Sequence, residues 1–208
     1  MSELNLVEPQ RIMVDHLRKV DDALLFCGMG LSKTAACLYR LSELFLNAEA
    51  TAALIVAPLR VSQLTWPSEV QEWDQLRWMR VANLRTESGQ RDFLNGKAHI
   101  YTINYESLHL LVSLAERRKW KLPYDVTVFD ELTKAKNASS KRINFYRNKF
   151  KDHRPKRNWG LTGTPMPNSQ LDLFAQVRLI DDGKRLGTNF LQFKREYFFA
   201  PSTMWAPW

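Results

Sequence analysis

Ala23 to Ala36 read ALLFCGMGLSKTAA, and this stretch decides how the rest of the 208-residue chain is read. Ala23 to Phe26 has the make-up of a short buried strand, Cys27 to Ser32 that of a glycine-bearing loop, and Lys33-Thr34 that of a helix opening. Backbone N–H groups of a tight loop and of a helix N-terminus converge on an anion, so strand, loop and helix in this order predict a phosphate-binding loop. In such a loop Lys33 is a point charge for the outer phosphates and the Thr34 hydroxyl a ligand for magnesium. The eight-residue frame G-x-x-x-x-G-K-[ST] is not matched strictly. Cys27 stands at its first glycine and Ser32 at its second, with Gly28 and Gly30 between. A Cβ at Ser32 is expected to crowd the phosphate or to strain a positive φ. The plainer alternative is a helix start with an incidental lysine.

Working outward, apolar runs alternate with helical spacing. Ala53 to Ala57 (ALIVA), Val81 to Leu84, His99 to Ile103, Val126 to Phe129 and Asn158 to Leu161 read as strands. Helices are expected from Arg11 to Val20 after an extended Leu4–Gln10 lead-in, over Thr34–Ala48, around Trp66–Trp73 and over Glu87–Leu94. Further helices are expected after Ser107 to about Lys119, over Arg142–Lys151 and over Ser169–Ile180. Trp66, Val70 and Trp73 recur at helical spacing and read as core packing. Strands alternating with helices predict an α/β domain, a mainly parallel sheet covered by helices on both faces. Ligands of such sheets bind at the carboxyl ends of the strands. Every chemically suggestive segment of this chain follows such an end.

Val126 to Phe129 delivers Asp130-Glu131. Two carboxylates at the end of a buried strand are costly unless something compensates them, and a magnesium–phosphate complex does so. In that reading Asp130 holds the ion and Glu131 orients and deprotonates an attacking water. Otherwise the two acids cap the following turn.

Composition sets bounds. The chain is 45% hydrophobic and 25% charged, with no low-complexity tract and no apolar run of membrane-spanning length. Its N-terminus lacks a signal-peptide pattern, which leads to a cytoplasmic expectation. Cys27 and Cys37 read as reduced small hydrophobes, and the four histidines have no zinc spacing. From Glu131 to Arg157, ten basic residues, among them Lys134, Lys136, Lys141 and Arg142, face only Glu131 and Asp152. That excess equals the net charge of the whole chain, +8. A solvated helix face is the ordinary explanation, and a polyanion partner the functional one.

The ordered set resembles the N-terminal RecA-like lobe of superfamily-2 helicases, of the type of Swi/Snf DNA translocases and their phage-encoded relatives. LVEPQ (Leu6–Gln10) is similar to the adenine-contacting segment, with Gln10 as base reader. GMGLSKT (Gly28, Met29, Gly30, Leu31, Ser32, Lys33, Thr34) resembles M-G-L-G-K-T and departs from it at Ser32. LIVAPLRVSQLTW (Leu54–Trp66, with Pro58 and Arg60) and TINYESL (Thr102–Leu108, with Asn104) are similar to segments that touch the nucleic-acid backbone. FDEL (Phe129–Leu132) stands where the family has D-E-A-H, departing at Leu132 and Thr133. LTGTP (Leu161–Pro165, with Thr162, Gly163 and Thr164) is similar to the motif that couples hydrolysis to lobe movement.

The resemblance implies a three-layer RecA-like lobe over residues 1–180, with 181–208 leading towards a second lobe. It further implies ATP with Mg2+ held at Thr34 and Asp130, and catalysis by Lys33, Asp130 and Glu131. The implied partners are DNA, duplex and bound without sequence preference, and a second RecA-like lobe, in cis or in trans, carrying an arginine finger. No membrane partner is implied. The rival reading is a non-catalytic nucleic-acid-binding or regulatory module that retains the fold.

Overall fold

The computed structural model describes residues 6–28, 30–134 and 142–198, with the side chain of Arg142 left out. Met29, Lys136 and Lys141, three of the candidate site residues, lie outside the described residues. Six strands form one sheet in the order β1-β6-β5-β2-β4-β3, and every pairing is parallel. The strands are β1 (Asp22–Phe26), β2 (Ala53–Ala57), β3 (Val81–Asn83), β4 (Ile100–Asn104), β5 (Val126–Phe129) and β6 (Arg157–Thr162). The fold is thus the expected α/β, RecA-like one.

Period-two alternation explains why β2 reads as a continuous apolar run. Ala53, Ile55 and Ala57 enter one core together with Met13, Leu17, Leu38, Leu41 and Trp66. Leu54 and Val56 enter the other, with Phe93, Leu111, Tyr146 and Ile180. The first core is roofed by α1 (Glu8–Lys19), α2 (Lys33–Leu46) and α3 (Trp66–Glu72). The second is roofed by α4 (Glu87–Asn95), α5 (Leu108–Arg117), α6 (Arg142–Phe150) and α7 (Asp172–Asp181). Among the described residues no helix is long and apolar enough to cross a membrane.

Local structure departs from or adds to the expectations in four places. The Leu4–Gln10 lead-in is not extended throughout, because α1 begins at Glu8. Pro9 suits a first turn, and the Gln10 side chain reaches back to accept from the Val7 N–H at 3.0 Å. Residues 61–65 form a π-helical turn ahead of α3. α7 starts at Asp172 rather than Ser169, with the Asp172 carboxylate accepting from the Asn168 N–H at 3.0 Å. Residues 190–198, read as part of a connection, form α8 (Phe190–Phe198), capped by Asn189 Oδ1 on the Leu191 N–H at 2.9 Å. Its Phe193 packs on Phe174 of α7, ring centroids 5.1 Å apart.

Among the described residues, several cations of the basic segment are ion-paired within the fold. Arg147 pairs with Asp182 at 2.7 Å and Lys149 with Glu116 at 3.7 Å. Arg154 pairs with Asp22 at 3.3 Å, and the buried Arg157 with Asp21 at 3.2 Å and Glu49 at 3.3 Å. The last two arginines, with Lys184 on Asp22 at 2.8 Å, tie down the amino end of the sheet.

Candidate nucleotide and metal site

At the opposite, carboxyl end of the sheet, β1 stops at Phe26 and the Cys27 N–H continues its ladder to the Thr162 carbonyl at 3.2 Å. The loop then turns through Gly30 at φ +84° and Ser32 at φ 44°, ψ 53°. The positive φ expected at Ser32 is therefore present, and its hydroxyl makes no capping bond to α2. The Lys33 ammonium folds back over the loop, donating to the carbonyls of Cys27 at 2.9 Å and Gly28 at 3.0 Å. This cationic clasp holds the loop curved around the space an anion would fill.

A cleft of about 540 Å³ opens beside the loop. Gly30, Ser32, Lys33 and Thr34 form one wall, Asp130, Glu131 and Lys134 the floor, and Thr162, Gly163 and Thr164 the far side. Val61, Thr65 and Thr133 complete it. The LTGTP turn is shaped by Thr162, whose buried hydroxyl accepts from the Thr164 N–H at 3.2 Å.

Asp130 is buried at the cleft floor. Its Oδ1 accepts from the Glu131 N–H at 2.8 Å and its Oδ2 from the Trp66 indole at 2.9 Å. Burial pushes its carboxyl above the ordinary value and the neighbouring Glu131 charge adds to this, while the two hydrogen bonds and Lys33 oppose it. A carboxyl perturbed by burial beside a cleft marks a candidate functional site. Glu131 is exposed and held at φ +47°. Beneath Asp130, burial and then the Asp130 charge push the Cys37 thiol well up, so it behaves as an inert hydrophobe. The Tyr105 hydroxyl is held protonated in the same way and donates to the Asp130 carbonyl at 2.8 Å.

The donor set fits magnesium better than a self-sufficient metal cage. Among the described residues no group of three or more His, Cys, Asp or Glu could hold an ion. Magnesium is ordinarily bound through one or two side chains, water and substrate phosphates. Thr34 and Asp130, both in the cleft lining, are the residues that would hold it.

Other candidates lie elsewhere. Gln10 is buried in α1, away from the cleft lining, and Gly28 and Leu31 are outside that lining too. Pro58 and the exposed Arg60 follow β2, at the same end of the sheet as the cleft. Asn104 ends β4, but its side chain is buried and donates to Glu106 at 2.6 Å. The residue that sequence reading missed is Trp66. Its helical spacing marked it as core, which it is, but a buried indole also carries an N–H that seeks a partner.

The sequence profile described as SNF2-related domain matches residues 10–197. The chain belongs to the SNF2-related domain family. "Putative protein p41" of Acyrthosiphon pisum secondary endosymbiont phage 1 is 33% identical to it over 195 residues, 91% of this chain and 42% of that protein. Chromodomain-helicase-DNA-binding protein 7 of Gallus gallus is 24% identical over 168 residues, 75% of this chain and 5% of the relative. This SNF2-related chain therefore spans less than half of either relative.

Two solved structures share its fold. One is the Sulfolobus solfataricus SWI2/SNF2 ATPase core in complex with dsDNA, with TM-score 0.72 and 24% identity, covering 92% of this chain and 38% of that one. The other is the UvsW helicase of bacteriophage T4, with TM-score 0.63 and 11% identity, covering 84% and 58%. Family and fold together make the chain an SNF2-related domain with a RecA-like fold.

Proposed function

We propose that this lobe binds Mg-ATP in the cleft beside Lys33 and contributes half of a DNA-translocase active site. A second RecA-like lobe, in cis or in trans, completes it. The observation that carries the proposal is convergence: Lys33, Thr34, Asp130, Glu131 and Thr162–Thr164, from three strand ends far apart in sequence, line one cleft. Lys33 would exchange its two neutral carbonyl partners for charged phosphate oxygens, an ion pair in place of a charge–dipole bond. Glu131 is exposed to the cleft and suited to orient a water for in-line attack. Magnesium, when bound at Thr34 and Asp130, supplies charge neutralisation of the phosphates. Residues 1–180 are taken as the nucleotide lobe and 181–208 as leading to its partner.

Pro58 and Arg60, at the strand ends flanking the cleft, support a backbone contact to duplex DNA that is blind to sequence. Arg154 and Arg157 are ion-paired at the amino end of the sheet, so neither is available as an arginine finger. An arginine that stabilises the charge on the transferred phosphoryl group contributes roughly 10³–10⁵ in rate. The lobe alone is therefore expected to turn over ATP barely, with or without DNA. The rival reading, a binding or regulatory module, is favoured by Ser32, whose left-handed backbone would suit glycine better.

A steady-state phosphate-release assay separates the two. The lobe, the lobe with DNA, and a two-lobe protein with DNA are compared, each beside Glu131→Gln. Turnover confined to the two-lobe protein and lost in Glu131→Gln is expected. No turnover in any arm would favour the binding module.

A further inference from the structure

We infer that Trp66 is a positioning residue for the Asp130 carboxylate, setting it for a hydrated cation; this rests on the nucleotide reading above. Trp66 is wholly buried, and its indole N–H donates to Asp130 Oδ2 at 2.9 Å while the Glu131 N–H donates to Oδ1 at 2.8 Å. Each carboxylate oxygen thus holds one charge-assisted bond. The group cannot rotate without breaking both, and each oxygen keeps lone-pair capacity for a water. The main chain is pinned as well, by the Tyr105 hydroxyl on the Asp130 carbonyl.

Two observations set this apart from ordinary packing. The first is a contrast within the chain. Trp159 is equally buried, and its indole nitrogen has no hydrogen-bond partner among the described residues. A partner for a buried indole is therefore not automatic in this fold, and the one given to Trp66 is a charged group.

The second is the π-helical turn over residues 61–65, immediately ahead of Trp66. Such a turn holds one residue more than an α-helical one, and each residue advances a helix by about 100°. Without the extra residue, Trp66 would face about 100° away from Asp130. With it, Val61 and Thr65 line the cleft while Trp66 reaches beneath it. The exposed Arg60 directly precedes this turn. One short rigid piece therefore joins a surface cation to the orientation of the carboxylate, and Tyr105 makes a second link from the end of β4.

The test is Trp66→Phe, which keeps an aromatic ring, though a smaller one, in the core and deletes the N–H. Affinity for a fluorescent ATP analogue is measured in Mg2+ and in EDTA. The expected result is unchanged metal-free affinity, within about twofold, and a magnesium-dependent gain reduced about 10-fold, the usual size for loss of an outer-shell partner. An unchanged gain, or an equal loss in both buffers, overturns the inference. Failure of the wild type to bind the analogue in either buffer overturns the nucleotide reading itself.

A measurement on the wild type needs no variant. In protein labelled with 15N at the indoles, Mn2+ with the analogue should broaden the Trp66 indole N–H, together with any other buried indole near the carboxylate. No broadening of any buried indole while the analogue binds also overturns the inference.

Discussion

Ser32→Gly tests the loop by its energetics. An L-residue in the left-handed region costs about 1–2 kcal/mol, a cost glycine escapes, and Ser32 sits there at φ 44°, ψ 53°. Glycine in turn has more freedom to lose on folding, about 0.4–1 kcal/mol. The hydroxyl enters neither sum, because it caps nothing in α2. The net expectation is stabilisation by roughly 0.5–1 kcal/mol, a midpoint rise of about 1–4 °C for a chain of this size. Ser32→Ala should stay within about 0.5 kcal/mol of the wild type. Thermal and urea unfolding of the three proteins, without nucleotide, give the comparison. The strain is present whether or not phosphate is bound, so affinity for Mg-ATP should change little. A Ser32→Gly protein less stable than the wild type would refute the strain argument. A loss above about 1 kcal/mol in Ser32→Ala would show that the hydroxyl bonds something essential.

Three further outcomes are expected. Lys33→Ala should weaken binding of a fluorescent ATP analogue about 10- to 100-fold, from the loss of roughly 1.5–3 kcal/mol of charge-assisted bonding, with far-ultraviolet circular dichroism unchanged. Gly160→Ala brings a Cβ to 2.7 Å from Leu132, 2.8 Å from Leu24 and 3.0 Å from Ile180. Overpacking there should cost about 1–3 kcal/mol in urea unfolding and, through Leu132, should disturb the adjacent carboxylates. Burial raises the Glu43 carboxyl, but bonds from Arg18 and Arg40 outweigh this and hold it below its ordinary 4.5. Glu43→Gln should therefore cost up to about 1 kcal/mol at neutral pH, and the difference should disappear as pH falls through the lowered Glu43 value.

The strands β2, β4, β5 and β6 were legible because each is buried on both faces, so that runs such as ALIVA announce themselves and Pro58 or Asp130 ends them. The order of the loop, the carboxylates and LTGTP was legible for the same reason, since each follows a strand end. Charge was not. Arg154 and Arg157 find Asp22, Asp21 and Glu49 more than a hundred residues away in sequence, so the local excess overstated the open basic surface. The bond from Trp66 to Asp130 spans 64 positions and depends on the π-helical turn, which no periodicity reveals. α8 carried a readable signal, Asn189 before Phe190, Phe193 and Tyr197, masked by its place after a well-marked helix.

Among the described residues, the strand that leads into the loop before α2 is an edge strand: β1 is bonded to β6, whereas β2 lies between β5 and β4. Half of the β1 amides therefore face away from the ladder. Local opening that begins at β1 releases fewer ladder bonds than opening at β2, which is paired on both sides. Amide exchange would follow that gradient, fast along β1 and slow along β2. The cluster of Arg154, Lys184 and Arg185 on Asp22 holds only the first residue of β1. At its other end the strand is held by the ladder to β6, which the Cys27 N–H extends to the Thr162 carbonyl.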